Sequence, residues 1–181
     1  MERGQFWYND FMLAFSILAV IGLIFVASMI DISSRDDDVD VLYDEAVSIS
    51  SSLMSKGYNP GEWSQLDGRV GIVEGSKVNI ENLQSFYSLT QGTNPEEEFI
   101  STVKPLLGVN NDFAFYFEDK MGSVVSEFSY DFGDGYFGHP SFSGISSLDA
   151  DNVLFFIRFV YLDADSDGKG EIVKMVVAIW S

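Results

Sequence analysis

The chain has 181 residues, 46% of them hydrophobic and 15% aromatic, enough apolar material for a core and too much for a disordered segment. Its 28 acids against 10 bases give a net charge of −18, which argues against nucleic acid or anionic lipid head groups as partners. It has no cysteine, which excludes a disulfide framework, a thiol nucleophile and any thiolate metal site.

From the N-terminus, Met1 to Gly4 is a short leader carrying one base, Arg3, and Trp7 and Tyr8 stand where an interfacial aromatic anchor would. Asp10 is an acid at the mouth of an apolar run, Phe11 to Ile30, that contains no ionisable side chain. Twenty residues of helix at about 1.5 Å each match the hydrocarbon thickness of a bilayer, so 11–30 reads as a membrane span. The acids that follow, Asp31, Asp36, Asp37, Asp38 and Asp40, favour a cytoplasmic N-terminus and an external head. The helical pattern then continues. Val39, Leu42, Ala46, Ile49 and Leu53 recur at spacings of three and four, the seam of an amphipathic helix. Gly57 and Pro60 are its first breakers, predicting one long helix over 5–57 and a globular head over 58–181.

Within the head, 70–73 is a short apolar run, and Asn79 offers a cap for a helix over 80–87. Asn94-Pro95-Glu96-Glu97-Glu98 is a second start signal, with Pro at the first helical position and acids matched to the helix dipole. That helix is predicted to end before Gly108, with a kink or early stop at Pro105. Four strands are predicted: 113–117, 124–128, 152–162 and 171–180. A Gly- and Asp-rich loop over 131–147 holds the only histidine, His139. The expected fold class is α+β. A long helix packs on a small head with short helices and a four-stranded antiparallel sheet.

The sharpest local motif lies between the last two strands. Asp163, Asp165 and Asp167 occupy positions one, three and five of a loop with Gly168 at six, as at the start of an EF-hand calcium loop. Glu171 at position nine is a further candidate ligand. Position twelve is Lys174 instead of a bidentate Glu, and the flanks read as strands. The choice is therefore between a looser calcium-binding hairpin and a solvated turn. No nucleophile elbow, zinc-peptidase pair or phosphate-binding loop occurs, and Asp131-Phe132-Gly133 stands without the other kinase motifs. The reading is of a non-enzyme.

Arg3-Gly4-Gln5, an acid before an apolar run, and a helix running on into a head together resemble archaeal type IV pilin-like proteins with a class III signal peptide. The 56–63 stretch Lys-Gly-Tyr-Asn-Pro-Gly-Glu-Trp is similar to the turn that follows the long helix in that family. The 156–161 and 176–180 strands resemble its closing strands. The resemblance implies a prepilin peptidase cut between Gly4 and Gln5, and a pilin-like head. It also implies pairing of Asp10 with the N-terminal amine of a neighbouring pilin subunit. Asp10 would be the sixth mature residue, where the family's acid is usually the fifth, and Trp7 replaces its small hydroxyl residue. The expected product is a structural subunit of a surface filament, held in the cell membrane as a precursor. The alternative is an uncleaved, membrane-anchored external domain that binds a ligand such as calcium.

Overall fold

The computed structural model of the chain describes residues 3–57, 70–91, 93–150, 152–164 and 169–181; of 3–7 and 30–38 it describes the helical backbone. It divides into two compact units, Met1–Asp40 and Val41–Ser181. Helix α1, Arg3–Leu53, contributes to both.

In the first unit the helix is apolar all round. Every described side chain from Tyr8 to Met29 is exposed. In the second unit only one stripe is apolar. Leu42, Ala46, Ile49 and Leu53 are each 1% exposed or less, while Val41 and Tyr43 beside them stay open. Helix α1 stops at Leu53, short of Gly57. Gly57 also lacks the left-handed backbone expected of a residue that ends a helix. Its reason is a crossing of two backbones. A Cβ on Gly57 would lie 2.5 Å from the Gly71 amide, and one on Gly71 2.0 Å from the Ser55 carbonyl. The same crossing lets the Ile72 N–H donate to the Leu53 carbonyl at 2.9 Å, satisfying one of the orphan acceptors at the helix end.

Strands β1 (Val73–Glu74) and β2 (Lys77–Val78) form a tight hairpin whose turn holds Gly75 at φ 70°. Helix α2, Ile80–Ser88, follows as predicted, with the Asn79 side chain accepting from the Asn82 N–H at 3.1 Å. Ile80, Leu83 and Phe86 face inward.

Residues 95–107 are helical in three pieces: α3 (Pro95–Glu98), a π turn (Phe99–Val103) and α4 (Lys104–Leu107). Pro105 has no N–H for the Ser101 carbonyl, and its ring crowds that carbonyl. The chain answers by widening one turn, the Lys104 N–H reaching back five residues to the Phe99 carbonyl. Neither a kink nor an early stop is needed. The helix ends as expected at Gly108, φ 69°, where the Val109 N–H bonds the Lys104 carbonyl and the Gly108 N–H the Pro105 carbonyl.

The rest is a curled mixed sheet of six strands, in the order β1-β2-β5-β6-β3-β4. Strands β3 (Asp112–Glu118), β5 (Val153–Leu162) and β6 (Glu171–Trp180) lie where the sequence places them. Two corrections concern the sheet. It has six strands, not four, and it is not wholly antiparallel, because β2 runs parallel to β5. The expected strand over 124–128 is a single bridge, Glu118 to Val124, with one further bond from the Val125 N–H to the Phe117 carbonyl. Its place beside β3 is taken by β4, Tyr136–Gly138, which pairs Tyr136, Phe137 and Gly138 with Tyr116, Phe115 and Ala114.

The inner face of the sheet meets the stripe of α1 and helix α2 in a core rich in phenylalanine. Phe115 stacks on Phe137 at 5.1 Å and meets Phe86 at 5.3 Å; Phe99 meets Phe113 at 5.3 Å. On the outer face, the 139–150 segment lays Phe142 and Leu148 over Ala114, Tyr116, Val176 and Ala178.

Candidate functional site

Two regions carry the sequence-derived expectations. The first is the apolar stretch of α1. Tyr8–Met29, 22 residues, is long and apolar enough to cross a membrane. Its polar groups are settled inside the helix. Ser16 donates to the Met12 carbonyl at 2.8 Å and Ser28 to the Ile24 carbonyl at 2.9 Å, as hydrocarbon surroundings require. Gly22 leaves an open notch in the helix surface, with nothing within 4 Å of where its Cβ would be. Asp10 is exposed near the start of the stretch. Arg3, Gly4 and Gln5 have helical backbone. An N-terminal apolar helix of this kind fits a membrane span or a signal sequence.

The second region is the loop between β5 and β6. Asp163 is buried, and its carboxylate accepts from the Lys77 ammonium at 3.0 Å. Lys77 also sits 5.9 Å over the ring of Tyr161, and the Tyr161 hydroxyl accepts from the Gly170 N–H at 2.9 Å. The first position of the calcium-like motif is thus tied across the sheet to β2. Glu171 begins β6 opposite Leu162 and is exposed. Asp165 and Asp167 lie outside the described residues. Among the described residues, no group of three or more Asp, Glu or His is placed to hold a metal ion. An open cleft of about 560 Å³ adjoins the loop, walled by Phe128, Leu162, Ala164 and Val173 and edged by Glu127, Lys169 and Glu171.

The other acidic and histidine motifs have local structural partners. Glu97 accepts from the Asn94 side chain at 3.1 Å and Glu96 from the Ser141 hydroxyl at 3.0 Å. Asp131 accepts from the Gly133 N–H at 3.1 Å, closing a turn that aims Phe132 into the core. His139 is wedged edge-on between Phe99 at 5.2 Å and Trp180 at 5.7 Å, and its Nδ1 faces the Ser141 N–H at 3.3 Å. Nearby, burial raises the Tyr87 pKa, with the charges of Asp131 and Asp134 adding to it. Asp119 is held below the usual carboxylate range by backbone N–H groups, first that of Ser123 and then those of Met121 and Gly122.

One buried carboxylate was not marked by any motif. Glu45 on α1 is 9% exposed and accepts from four donors of the segment entering β3. These are the Asn110 and Asn111 N–H groups at 3.0 Å each, the Asn111 side chain at 3.1 Å and the Asn110 side chain at 3.4 Å. Its signal in the sequence is its place three residues after Leu42, at the margin of the buried stripe. It pins the helix to the sheet.

Comparison with family models, with curated proteins and with solved structures finds no match to this chain.

Proposed function

We propose that the chain is a membrane-inserted, pilin-like precursor, cut between Gly4 and Gln5 by a prepilin peptidase, whose mature form is a structural subunit of an archaeal type IV pilus-like surface filament. The observation that carries this reading is the Tyr8–Met29 stretch. It is apolar on every side and wholly exposed, although the helix to which it belongs goes on to bury a stripe in the head. Such a surface needs hydrocarbon or other helices around it. Lipid would serve the precursor, and neighbouring copies of the same helix the filament. The role is assembly. In the filament Asp10 pairs with the new amine of Gln5 on an adjacent subunit, each charge offsetting the other away from water.

The test is the intact mass and N-terminal sequence of the protein recovered from membranes and from sheared cell surface. A start at Gln5 in the sheared fraction is expected. Met1 retained, with all of the protein left in the membrane, would sink the filament reading and leave an uncleaved anchored domain. Asp10→Ala is expected to abolish assembly while leaving the membrane-bound precursor intact.

A further inference from the structure

We propose that strand β5 is a self-pairing edge, by which two copies of this chain join antiparallel about a two-fold axis at Ile157. Strand β5 is bonded to β6 along its whole length, but on its other side it meets β2 at one position, Tyr161 opposite Lys77. There the Tyr161 N–H donates to the Ser76 carbonyl at 2.7 Å. In an antiparallel ladder each residue sends its N–H and C=O to the same side, and the side alternates. Tyr161 therefore sets the parity. Phe155, Ile157 and Phe159 direct their backbone groups to the same open edge, where no strand pairs with them among the described residues.

The same three residues turn their side chains outward. Phe155 is 40% exposed, Ile157 51% and Phe159 67%. Natural sheets guard long edges with charge, proline, a bulge or a cover. The outward row of β5 has no charge or proline. In a chain of 28 acids, Val153–Leu162 contains none, and its one charge is Arg158. An edge left apolar and unguarded on so acidic a molecule is a surface meant to be paired.

The occupant is a second copy because the strand is complementary to itself. Antiparallel pairing about Ile157 sets Ile157 against Ile157 of the second copy and Phe155 against Phe159 of the second copy. On the inner face it brings Arg158 opposite Phe156 of the second copy. Its guanidinium already lies 4.7 Å over its own Phe156 ring, so the cation–π contact is available to either ring. The Lys77 bridge occupies the position beside Tyr161, so the new ladder is limited to the bonded pairs from 155 to 159. Two highly acidic copies also repel least where neither presents an acid. Anchoring by α1, which rests on the function proposed above, would hold copies in one membrane and raise their effective concentration. The pairing itself needs no processing.

The test uses the full chain in lipid vesicles, where the lack of native cysteine makes every introduced thiol unique. Opposed residues of a bonded antiparallel pair have Cα atoms about 5.5 Å apart, within disulfide reach. Ile157→Cys is therefore expected to form a dimer on mild oxidation. Phe159→Cys alone places its thiols about 13 Å apart, four residues out of register, and is expected to cross-link at roughly a tenth of that yield. Mixing Phe155→Cys chains with Phe159→Cys chains restores the cross-link. Equal yields for Ile157→Cys and Phe159→Cys, or none for either, overturn the proposal; the second result would leave the row to lipid or to another protein. The cross-link pattern is read on the uncleaved chain, so a failure of processing at Gly4 does not touch it.

Discussion

The two faces of the sheet are built from the same kinds of residue and are treated differently. On the inner face, Phe113, Phe115, Phe117, Val173, Met175, Val177 and Ile179 are all 2% exposed or less, closed over by α1, α2 and the turns around Phe132. On the outer face, the half made by β3 and β6 is covered by the chain's own 139–150 segment, with Phe142 stacked on Trp180 at 5.4 Å. The half made by β5 is bare. Strand β5 alternates apolar residues to both sides, so its sequence reads as a strand buried on two faces. Composition states how much apolar surface a strand offers; only the fold shows which part the molecule itself has covered.

The largest effect that tests this contrast is at the centre of the inner face. Phe115→Ala removes a ring packed against Phe86, Phe117 and Phe137, and is expected to cost about 3–5 kcal/mol of stability. Phe159→Ala, the same change on the bare row, is expected to stay within about 0.5 kcal/mol in chemical denaturation of the undimerised protein. Similar losses at both sites would mean that the bare row is covered within the monomer.

A smaller effect belongs to the clamp that holds α1 against the inner face. Glu45→Ala leaves the Asn110 and Asn111 donors without their shared carboxylate, and an expected loss of about 1–3 kcal/mol follows from stranding half-buried donors. Glu45→Gln keeps an oxygen for one of the two N–H groups and should lose less. If the alanine variant unfolds at the same denaturant concentration as the parent, the clamp contributes nothing and the apolar stripe alone holds the helix.

How much of this was readable beforehand follows from what each element needed. The cap at Asn79, the stop at Gly108 and the strands β3, β5 and β6 are written locally, in a side chain that bonds its own helix or in alternation along one strand. Strands β1 and β2 are two residues each and β4 is three, too short for any alternation to register. The expected strand at 124–128 has the right residues and was displaced because β4 competes for the same edge of β3. Gly57 was read as a helix end because glycine often is one; its actual reason, the backbone of Gly71, lies across the fold. The candidate site divides in the same way. The apolar stretch is legible because lipid solubility is a property of consecutive residues, and 11–30 falls almost wholly within Tyr8–Met29. The partner of Asp163 is Lys77, 86 residues away, and no spacing rule within the loop announces it.

The finest test of the contrast is chemical and concerns the covered half of the outer face. Tyr116 lies under Phe142, and its pKa is raised to about 12, first by burial and then by the neighbouring Glu118 and Tyr136. A group that holds its proton more tightly folded than unfolded gives stability that is full below the unfolded pKa of 10.0 and declines as pH rises toward the folded value. Stability should therefore fall between about pH 10 and 12, because the unfolded chain gives up the proton first. Tyr116→Phe should reduce that slope without abolishing it, since Tyr87, also raised by burial, remains on the inner side. Following tyrosinate absorbance against unfolding separates the two. A Tyr116→Phe variant with the parent's full alkaline slope would show that this ring reaches solvent, and that the 139–150 segment lifts from the sheet before the core opens.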